Sequence, residues 1–200
     1  MPGRKDKDII RETAENRLYT YGDYLKWDNG KRYEIIDGQV IEISAAPYRQ
    51  HQKVSAELLR QFANYLLDKK CEVYAAPFDV RLPEGGEADE KILTVVQPDL
   101  VVICDRSKLD ERGCRGAPDL VIEIISPSTA GRDRKDKRDL YERHGVKEYW
   151  LVDYQERVVE VYLLDDNNVY SKPAVYLEKD VVPVSILDGL QIELEFVFRE

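Results

Sequence analysis

The spacing of apolar residues along the chain predicts both strands and helices. From Arg32 to Ser44, apolar and polar residues alternate with the two-residue period of a strand, and an Asp-Gly pair at Asp37 predicts a hairpin turn. From Tyr48 to Lys69, apolar residues recur at the spacing of one helix face, which predicts an amphipathic helix. The chain is therefore expected to form a hairpin followed by a helix that faces the core.

Further apolar runs predict the remaining elements. We expect a short helix over Thr20–Trp27, a charged helix over Arg132–His144, strands over Cys71–Leu82, Gln97–Cys104, Glu148–Tyr154 and Arg157–Leu164, and short strands over Val169–Tyr176, Val181–Val184 and Gln191–Phe198. Prolines 173 and 183 favour edge positions for the last of these strands. The acidic, glycine-containing loop Pro83–Lys91 is predicted to be a mobile flap.

Length and composition bound the class of protein. The 200 residues, with 34% charged and 43% hydrophobic side chains, are typical of a soluble globular protein with a core of its own. We predict a polar lead over residues 1–19 and a single domain over residues 20–200, in which the part from about residue 165 adds strands or a tail. No internal repeat or low-complexity tract divides this domain.

Cysteine usage and hydropathy give an expected compartment. The three cysteines, Cys71, Cys104 and Cys114, are odd in number and lack CxxC spacing, which argues against zinc and favours a reducing compartment. No apolar run reaches the roughly 20 residues that span a bilayer, and the first 17 residues are charged rather than signal-like. We therefore expect a cytoplasmic protein that makes no membrane contact.

Carboxylates inside apolar strands are the first candidates for chemistry. The phrases QPDLVVI and APDLVIEIISPS contain Asp99, Asp119 and Glu123, and apolar residues flank Glu123 on both sides. A buried carboxylate is costly unless a metal, a proton or a partner compensates it. The alternative interpretation is that Asp99 and Glu123 are strand-end acids bonded to backbone amides or to arginine.

Strand geometry decides which of these acids can share one cation. Asp119 and Glu123 lie on one strand, about 13 Å apart, which is too far for a common metal ion. Asp99 lies on another apolar run, and neighbouring strands are only about 4.8 Å apart, so a suitable register brings Asp99 beside Glu123. Two carboxylates at that distance suit a hard divalent cation such as Mg2+.

The charged helix that follows adds cations. Asp133, Lys137 and Tyr141 are spaced by four residues and share one helix face, so Lys137 can point towards the acids. A neighbouring basic patch could hold phosphates; it contains Arg132, Arg134, Lys135 and Arg138. The alternative is a solvated helix with mutual salt bridges, because acids are interleaved with these bases.

Several motifs in order resemble one known family. The run PDLVIEIISPST, the residues Asp133, Lys137 and Tyr141, and GVKEYWLVD from Gly145 resemble the Uma2 family of endonuclease-like proteins, also catalogued as a domain of unknown function. The upstream segment RYEIIDGQVIEISAAP and the following His51 are also similar to that family. The resemblance spans roughly residues 20–163. Several motifs in the same order identify a family more specifically than any single motif does.

The resemblance implies a fold and a metal site. The implied fold is α/β and restriction-endonuclease-like, of the PD-(D/E)xK type, with a mixed central β-sheet flanked by helices. The implied metal ligands are Asp99 and Glu123, with Glu34 as the N-terminal acid that some relatives contribute. Glu34 has an equally open alternative, a half-buried hairpin glutamate bonded to a turn. The familiar lysine position holds Ile125, so the resemblance places Lys137 in the catalytic role instead.

The implied activity is hydrolysis of phosphodiester bonds in nucleic acid. Mg2+, for which Mn2+ could substitute, would activate a water, and Lys137 would orient it or stabilise charge. Tyr141 would contact an acid or a phosphate, or else pack the helix onto the sheet. Nucleic acid is the expected partner, DNA before RNA, although the residues alone leave both open. A homodimer is expected because such enzymes often cut both strands.

Two alternatives to the nuclease remain. The net charge of −9 repels a polyanion, and Ile125 departs from the usual motif, which together favour a non-catalytic module that binds nucleic acid or a partner. Screening beyond about 8 to 10 Å still allows a local basic patch to bind nucleic acid. A hydrolase for another phosphate ester is weakened by the absence of a Gly-rich phosphate loop.

Overall fold

The computed structural model describes residues 17–43, 48–125, 131 and 133–199. Most of the predicted polar lead, Ser44 at the end of the predicted hairpin, and Arg132 of the predicted basic patch lie outside these ranges. Where the described chain begins, the backbone N–H of Tyr19 donates to the carbonyl oxygen of Gly38 at 2.9 Å. Residues 17–19 are thus attached to the predicted hairpin turn.

The described residues form short helices and many strands. The helices are α1 (Tyr21–Tyr24), α2 (Arg49–Leu66), α3 (Arg138–His144) and α4 (Leu194–Phe198), with 3-10 turns at Asp89–Lys91 and Arg106–Lys108 and a π-helical turn at Asp133–Lys137. The strands are β1 (Arg32–Ile36), β2 (Gln39–Ile43), β3 (Glu72–Ala75), β4 (Val80–Arg81), β5 (Val95–Val96), β6 (Leu100–Ile103), β7 (Leu109–Asp110), β8 (Gly113–Arg115), β9 (Leu120–Ile125), β10 (Glu148–Asp153), β11 (Val158–Leu163), β12 (Ala174–Leu177), β13 (Val181–Pro183) and β14 (Gln191–Glu193).

The strands build a central sheet and a second sheet beside it. In the described chain the central sheet has the order β12-β11-β10-β9-β6-β3, in which β9 and β10 run parallel and the other neighbours run antiparallel. The second sheet has the order β2-β1-β5-β4-β8-β7. Strands β13 and β14 form a separate antiparallel pair. Both large sheets are short-stranded, so side chains at strand ends lie close to the neighbouring sheet.

Helix α2 covers one face of the central sheet. Its buried positions include Val54, Leu58, Phe62 and Leu66, which recur every four residues as the amphipathic pattern predicts. The Phe62 ring packs edge-on against Trp150 of β10 at a centroid distance of 5.9 Å. This apolar stripe against the sheet is the larger part of the core.

The π-helical turn and α3 cover the opposite face. Tyr141 of α3 packs against Tyr149 of β10 with ring centroids 5.1 Å apart, among buried side chains of β9. Alternation along β9 sends Ile122 and Ile124 towards α2, and Glu123 with its odd-numbered neighbours towards α3. The result is a mixed sheet with a helix on each face, as predicted.

Several predicted boundaries are wrong in detail. The strand expected over Cys71–Leu82 is two strands, β3 and β4, which belong to different sheets and are separated by Pro77, a residue without a backbone donor. Residues 194–198 form a helix rather than a strand, with Leu194, Val197 and Phe198 buried at helical spacing. Three consecutive apolar or aromatic residues fit either pattern, so tertiary packing decides.

Two further features differ from expectation. Cys71 and Cys104 form a disulfide across β3 and β6, whereas the sequence favoured unpaired thiols; the antiparallel register places them opposite each other. The predicted flap Pro83–Lys91 is tied down by ion pairs, because Asp89 contacts Arg81 and Arg115, and Glu84 contacts Arg143. The sequence shows neither the disulfide nor these ion pairs, because the pairing of the strands decides which of these side chains meet.

Among the described helices, not one has both the length and the apolar character that crossing a membrane would require.

We predict that Phe62→Ala lowers the free energy of unfolding by about 3 to 5 kcal/mol, because it removes a fully buried ring and leaves a cavity beneath Trp150. Leu67→Ala is the matched control, since Leu67 is 73% exposed, and should change stability by about 0.5 kcal/mol or less. Urea denaturation followed by tryptophan fluorescence measures both. Equal effects of the two substitutions would contradict the packing of α2 on the sheet.

Candidate active site

Glu123 lies on β9, and Asp99 directly precedes β6, the strand that pairs with β9. Strand β6 pairs with β9 so that Leu100 faces Ile122, and continuing this register by one residue sets Asp99 opposite Glu123. The Asp99 carboxylate accepts a hydrogen bond from the backbone N–H of Ile124 at 2.7 Å. Asp99 thus lies close enough to Glu123 to act on it electrostatically, at one end of the β6–β9 pair.

Glu123 is buried among hydrogen-bond donors. Only 4% of the residue is exposed, and its Oε1 accepts hydrogen bonds from Lys137 Nζ at 2.9 Å and from the Tyr141 hydroxyl at 2.7 Å. Lys137 and Tyr141 come from the π-helical turn and from α3. The four-residue spacing in the sequence thus does bring both side chains to one face, and that face meets Glu123.

Glu34 joins this cluster from the second sheet. It is 2% exposed on β1, and its Oε1 accepts a hydrogen bond from the same Lys137 Nζ at 2.9 Å. The backbone N–H of Gln97 donates to that oxygen at 2.9 Å. Glu34 is therefore more than a hairpin glutamate bonded to a local turn, because Lys137 bridges it to Glu123 across two sheets.

Local backbone geometry explains how Lys137 reaches both acids. The turn over Asp133–Lys137 is π-helical, a rare widening of the helix that recurs at functional sites. Asp133 and Lys137 are both buried, and the Tyr149 hydroxyl donates to the backbone carbonyl oxygen of Asp133 at 3.0 Å. Ile125, where the familiar motif has lysine, is buried in the apolar core. The cation thus comes from the turn and not from β9.

Burial and charge set the protonation behaviour of the cluster. Burial raises the pKa of the Glu123 carboxyl well above its usual range, the Lys137 ammonium lowers it, and Asp133, Asp99 and Glu34 raise it further. Burial by itself lowers the pKa of Lys137, but the surrounding carboxylates of Glu123, Glu34 and Asp133 outweigh it, so its pKa lies above the usual value. Lys137 is therefore a permanent ammonium in an acidic pocket.

Tyr141 is held as a neutral phenol. Burial raises its pKa well above the usual value, and the Glu123 carboxylate adds to the rise. Its hydroxyl donates to Glu123, and its ring packs on Tyr149. Tyr141 therefore both contacts an acid and packs the helix onto the sheet.

His51 is a neighbour to which the sequence gave little weight. It lies in the first turn of α2, and its Nε2 is 3.3 Å from Asp99 Oδ2. Its Nδ1 is buried and has no hydrogen-bond partner among the described residues. The segment RYEIIDGQVIEISAAP and the histidine that follows it were a usable signal, but only the fold brings His51 beside Asp99.

The donor set fits Mg2+ through two carboxylates. No group of three or more His, Cys, Asp or Glu side chains with metal-binding proximity occurs in the described part of the chain. Mg2+ does not need such a group, because it is commonly held by one or two carboxylates, with waters and substrate phosphate as its other ligands. Asp99 and Glu123 are the candidate pair; one oxygen of Glu123 and one oxygen of Glu34 each accept two hydrogen bonds already, which leaves the second oxygen of each carboxylate for a cation.

The predicted basic patch is largely engaged in ion pairs. Arg134 contacts the carboxylates of Glu160 and Asp153, and Arg138 contacts the adjacent Asp139 at 2.6 Å. Lys135 is exposed, and Arg132 lies outside the described residues. These contacts correspond to the alternative interpretation, a solvated helix with mutual salt bridges. Asp119 accepts hydrogen bonds from Lys147 and from the backbone of Cys104, which is a structural role.

Comparison with known proteins gives a family and a fold. A family model named Uma2, described as "Putative restriction endonuclease", matches residues 21–195. The chain is 29% identical over 153 residues to "Uncharacterized protein slr1290" of Synechocystis sp., a match that covers 72% of this chain and 74% of that protein. A second Synechocystis protein, "Uncharacterized protein sll1609", is 24% identical over 145 residues, which cover 70% of this chain and 77% of that protein.

A solved structure has the same fold. It is the crystal structure of "a putative nuclease belonging to DUF820" from Anabaena variabilis, with a TM-score of 0.70 at 22% sequence identity. The match covers 90% of this chain and 97% of that chain. At this identity the likeness concerns the fold alone, and it confirms the predicted restriction-endonuclease-like α/β architecture.

We predict that Lys137→Met destabilises the protein by about 3 to 5 kcal/mol at neutral pH, because two buried carboxylates then lose their shared cation. Lys135→Met, two residues away on the exposed side of the same turn, should change stability by about 0.5 kcal/mol or less. Chemical denaturation of the purified variants measures the difference. A Lys137→Met protein as stable as the control would contradict the bridge between the sheets.

Proposed function

The chain belongs to the Uma2 family, and from that premise we propose that it is a Mg2+-dependent endonuclease that hydrolyses phosphodiester bonds in nucleic acid. The observation that carries the proposal is the hydrogen bond from the backbone N–H of Ile124, the residue after Glu123, to the Asp99 carboxylate, together with the Lys137 ammonium hydrogen-bonded to Glu123. An acid pair with an adjacent lysine is the arrangement that metal-assisted hydrolysis needs.

The proposed metal ligands are Asp99 and Glu123, with Glu34 as a further acid of the site. When bound, Mg2+ supplies an activated water and stabilises charge on the phosphoryl oxygens. Mn2+ would substitute, because it also takes oxygen ligands. The backbone N–H of Ile124 and the His51 ring orient Asp99, so its carboxylate is held beside Glu123 before any ligand arrives.

The chain's own residues would supply positioning and charge. Lys137 keeps its proton because acids surround it, so we propose that it orients the attacking water or stabilises negative charge that develops on the phosphate. It acts as an ammonium and not as a base. Tyr141 donates to the Glu123 oxygen that also faces Lys137, which fixes the orientation of that carboxylate.

The substrate and assembly are part of the same proposal. We propose DNA as the preferred nucleic acid and a homodimer as the working form, because a symmetric pair of sites can cut both strands. The predicted phosphate contacts by Arg132, Arg134, Lys135 and Arg138 receive less support, since Arg134 and Arg138 are already ion-paired. The cytoplasm remains the proposed compartment, but the Cys71–Cys104 disulfide removes the argument from unpaired cysteines that supported it. Residues 20–200 remain the proposed domain.

We predict that purified protein cleaves plasmid DNA in Mg2+ or Mn2+, and that EDTA abolishes the cleavage. Glu123→Gln and Asp99→Asn should each lower the rate by at least about a hundredfold, because each removes a charge that would hold the ion. Glu156→Gln, an exposed acid on the turn between β10 and β11, is the matched control and should cleave at the parent rate. Single-stranded DNA and RNA serve as parallel substrates.

The same samples distinguish the second candidate, a non-catalytic module that binds nucleic acid or a partner. The Lys137 bridge favours this candidate, because an ammonium compensates both acids without any metal. No cleavage of any substrate, together with no heat of Mg2+ binding in calorimetry, would reject the nuclease. Cleavage that Glu123→Gln leaves intact would show a contaminating enzyme.

A further inference from the structure

Arg32 lies on the active-site face of the second sheet. It is two residues from Glu34 on β1, so the two side chains point to the same face about 7 Å apart along the strand. Both connect to Gln97, since Glu34 accepts from the Gln97 backbone and Arg32 contacts the Gln97 side chain. Arg32 is half-buried, so its guanidinium is partly accessible to a ligand.

The partner of Arg32 is a neutral amide. Its Nε and Nη2 donate to Gln97 Oε1 at 2.9 and 2.7 Å. The amide is itself fixed, because Gln97 Nε2 donates to Asp79 Oδ1 at 2.8 Å and to the Tyr24 hydroxyl at 3.0 Å. These bonds direct the amide oxygen towards Arg32 and hold one edge of the guanidinium in place.

The charge of Arg32 is therefore positioned without being neutralised. Within the described residues no carboxylate forms an ion pair with it, whereas Arg81 and Arg134 each contact two carboxylates and Arg138 contacts one. Guanidinium has five N–H donors, and the two bonds to Gln97 leave three for a ligand. An arginine oriented in this way is suited to the planar, two-point recognition of a phosphate.

The electrostatics of the site give this cation a function. Asp99, Glu34 and Glu123 outnumber Lys137, and the whole chain carries a net charge of −9, so a polyanion approaching the acids is repelled. The guanidinium of Arg32, a second cation on the same face, reduces that repulsion for a substrate backbone that lies beside Glu34. Arg134 and Arg138 of the predicted basic patch are less able to do so, because each is ion-paired.

We propose that Arg32, held by Gln97, binds a backbone phosphate of the nucleic-acid substrate beside Glu34. This inference rests on the proposed function, because it assigns a substrate contact to the same site. The ligand is a phosphodiester group and carries no base sequence, so Arg32 contributes to affinity and to salt dependence but not to sequence preference.

The test measures binding apart from cleavage. A fluorescein-labelled oligonucleotide, single-stranded and as a duplex, is titrated in Mg2+ with Glu123→Gln protein, and fluorescence anisotropy gives Kd over a series of salt concentrations. Arg32→Gln in that background should raise Kd about tenfold or more and reduce the slope of log K against log salt by about 1. Arg32→Lys should restore the slope but only part of the affinity.

A matched control and a folding check accompany these variants. Arg106, which is ion-paired with Glu72, lies near the end of β6 that is opposite to Asp99. Arg106→Gln should therefore change Kd by about twofold or less. Thermal unfolding of each variant shows that loss of binding is not loss of fold. If Arg32→Gln does not fold, Arg32→Lys still tests the two-point contact, because it keeps the charge and removes the planar fork.

Three outcomes count against the inference in distinguishable ways. An unchanged Kd and salt slope in Arg32→Gln, with a parent protein that binds, overturns the role of Arg32 and leaves the nuclease standing. A lower cleavage rate with an unchanged slope means that Arg32 acts only by holding Gln97, which also overturns phosphate binding. A parent protein that neither binds nor cleaves any oligonucleotide overturns the proposed function, and the role of Arg32 with it.

Discussion

The Lys137 ammonium is the interaction on which the arrangement of the site depends. It donates to Glu34 and to Glu123 at 2.9 Å each, and all three side chains are at least nine-tenths buried. Each carboxylate alone would be costly to bury, and so would the ammonium, because none can keep its water. Together they compensate one another, and in doing so they join β1 of the second sheet, β9 of the central sheet and the turn before α3. Loss of Lys137 leaves both carboxylates uncompensated, whereas loss of either acid leaves one ion pair with Lys137.

Other parts of the fold are arranged around this bridge. The Tyr141 hydroxyl approaches the same Glu123 oxygen, so the docking of α3 on the sheet and the orientation of the carboxylate depend on each other. The Gln97 backbone contacts Glu34 two residues before Asp99, which ties the start of β6 to the hairpin. On the far face of the sheet, α2 brings His51 to Asp99. Contacts from α3, from the Gln97 backbone and from α2 thus hold Glu123, Glu34 and Asp99 respectively.

The charge balance of the cluster connects the structure with the proposed chemistry. Glu123 has a raised pKa because burial and the nearby acids together exceed the effect of Lys137, so the site still favours a further positive charge. A divalent cation would supply that charge, and its binding would also make the approach of a phosphate less unfavourable in an acidic chain. Arg32 would also reduce the repulsion between the acidic site and the phosphates of the substrate. A metal ion and a polyanion would then each favour the binding of the other, as linked ligands do.

The sequence by itself determined the class of fold, the hairpin and the long helix, because these follow from short-range periodicity. Strand spacing added the prediction that Asp99 and Glu123 share one cation. It also placed Lys137 and Tyr141 on one helix face, since their spacing is local. The sequence did not reveal the split of the strand over Cys71–Leu82 into two sheets or the C-terminal helix α4, and it left open whether Arg134 and Arg138 hold phosphates or form ion pairs. Nor did it show that Glu34 and Glu123 share one lysine, or that His51 adjoins Asp99 and Arg32 adjoins Gln97. These contacts join residues 14 to 103 positions apart in the chain, and only the packing of the two sheets and helices decides which of these side chains meet.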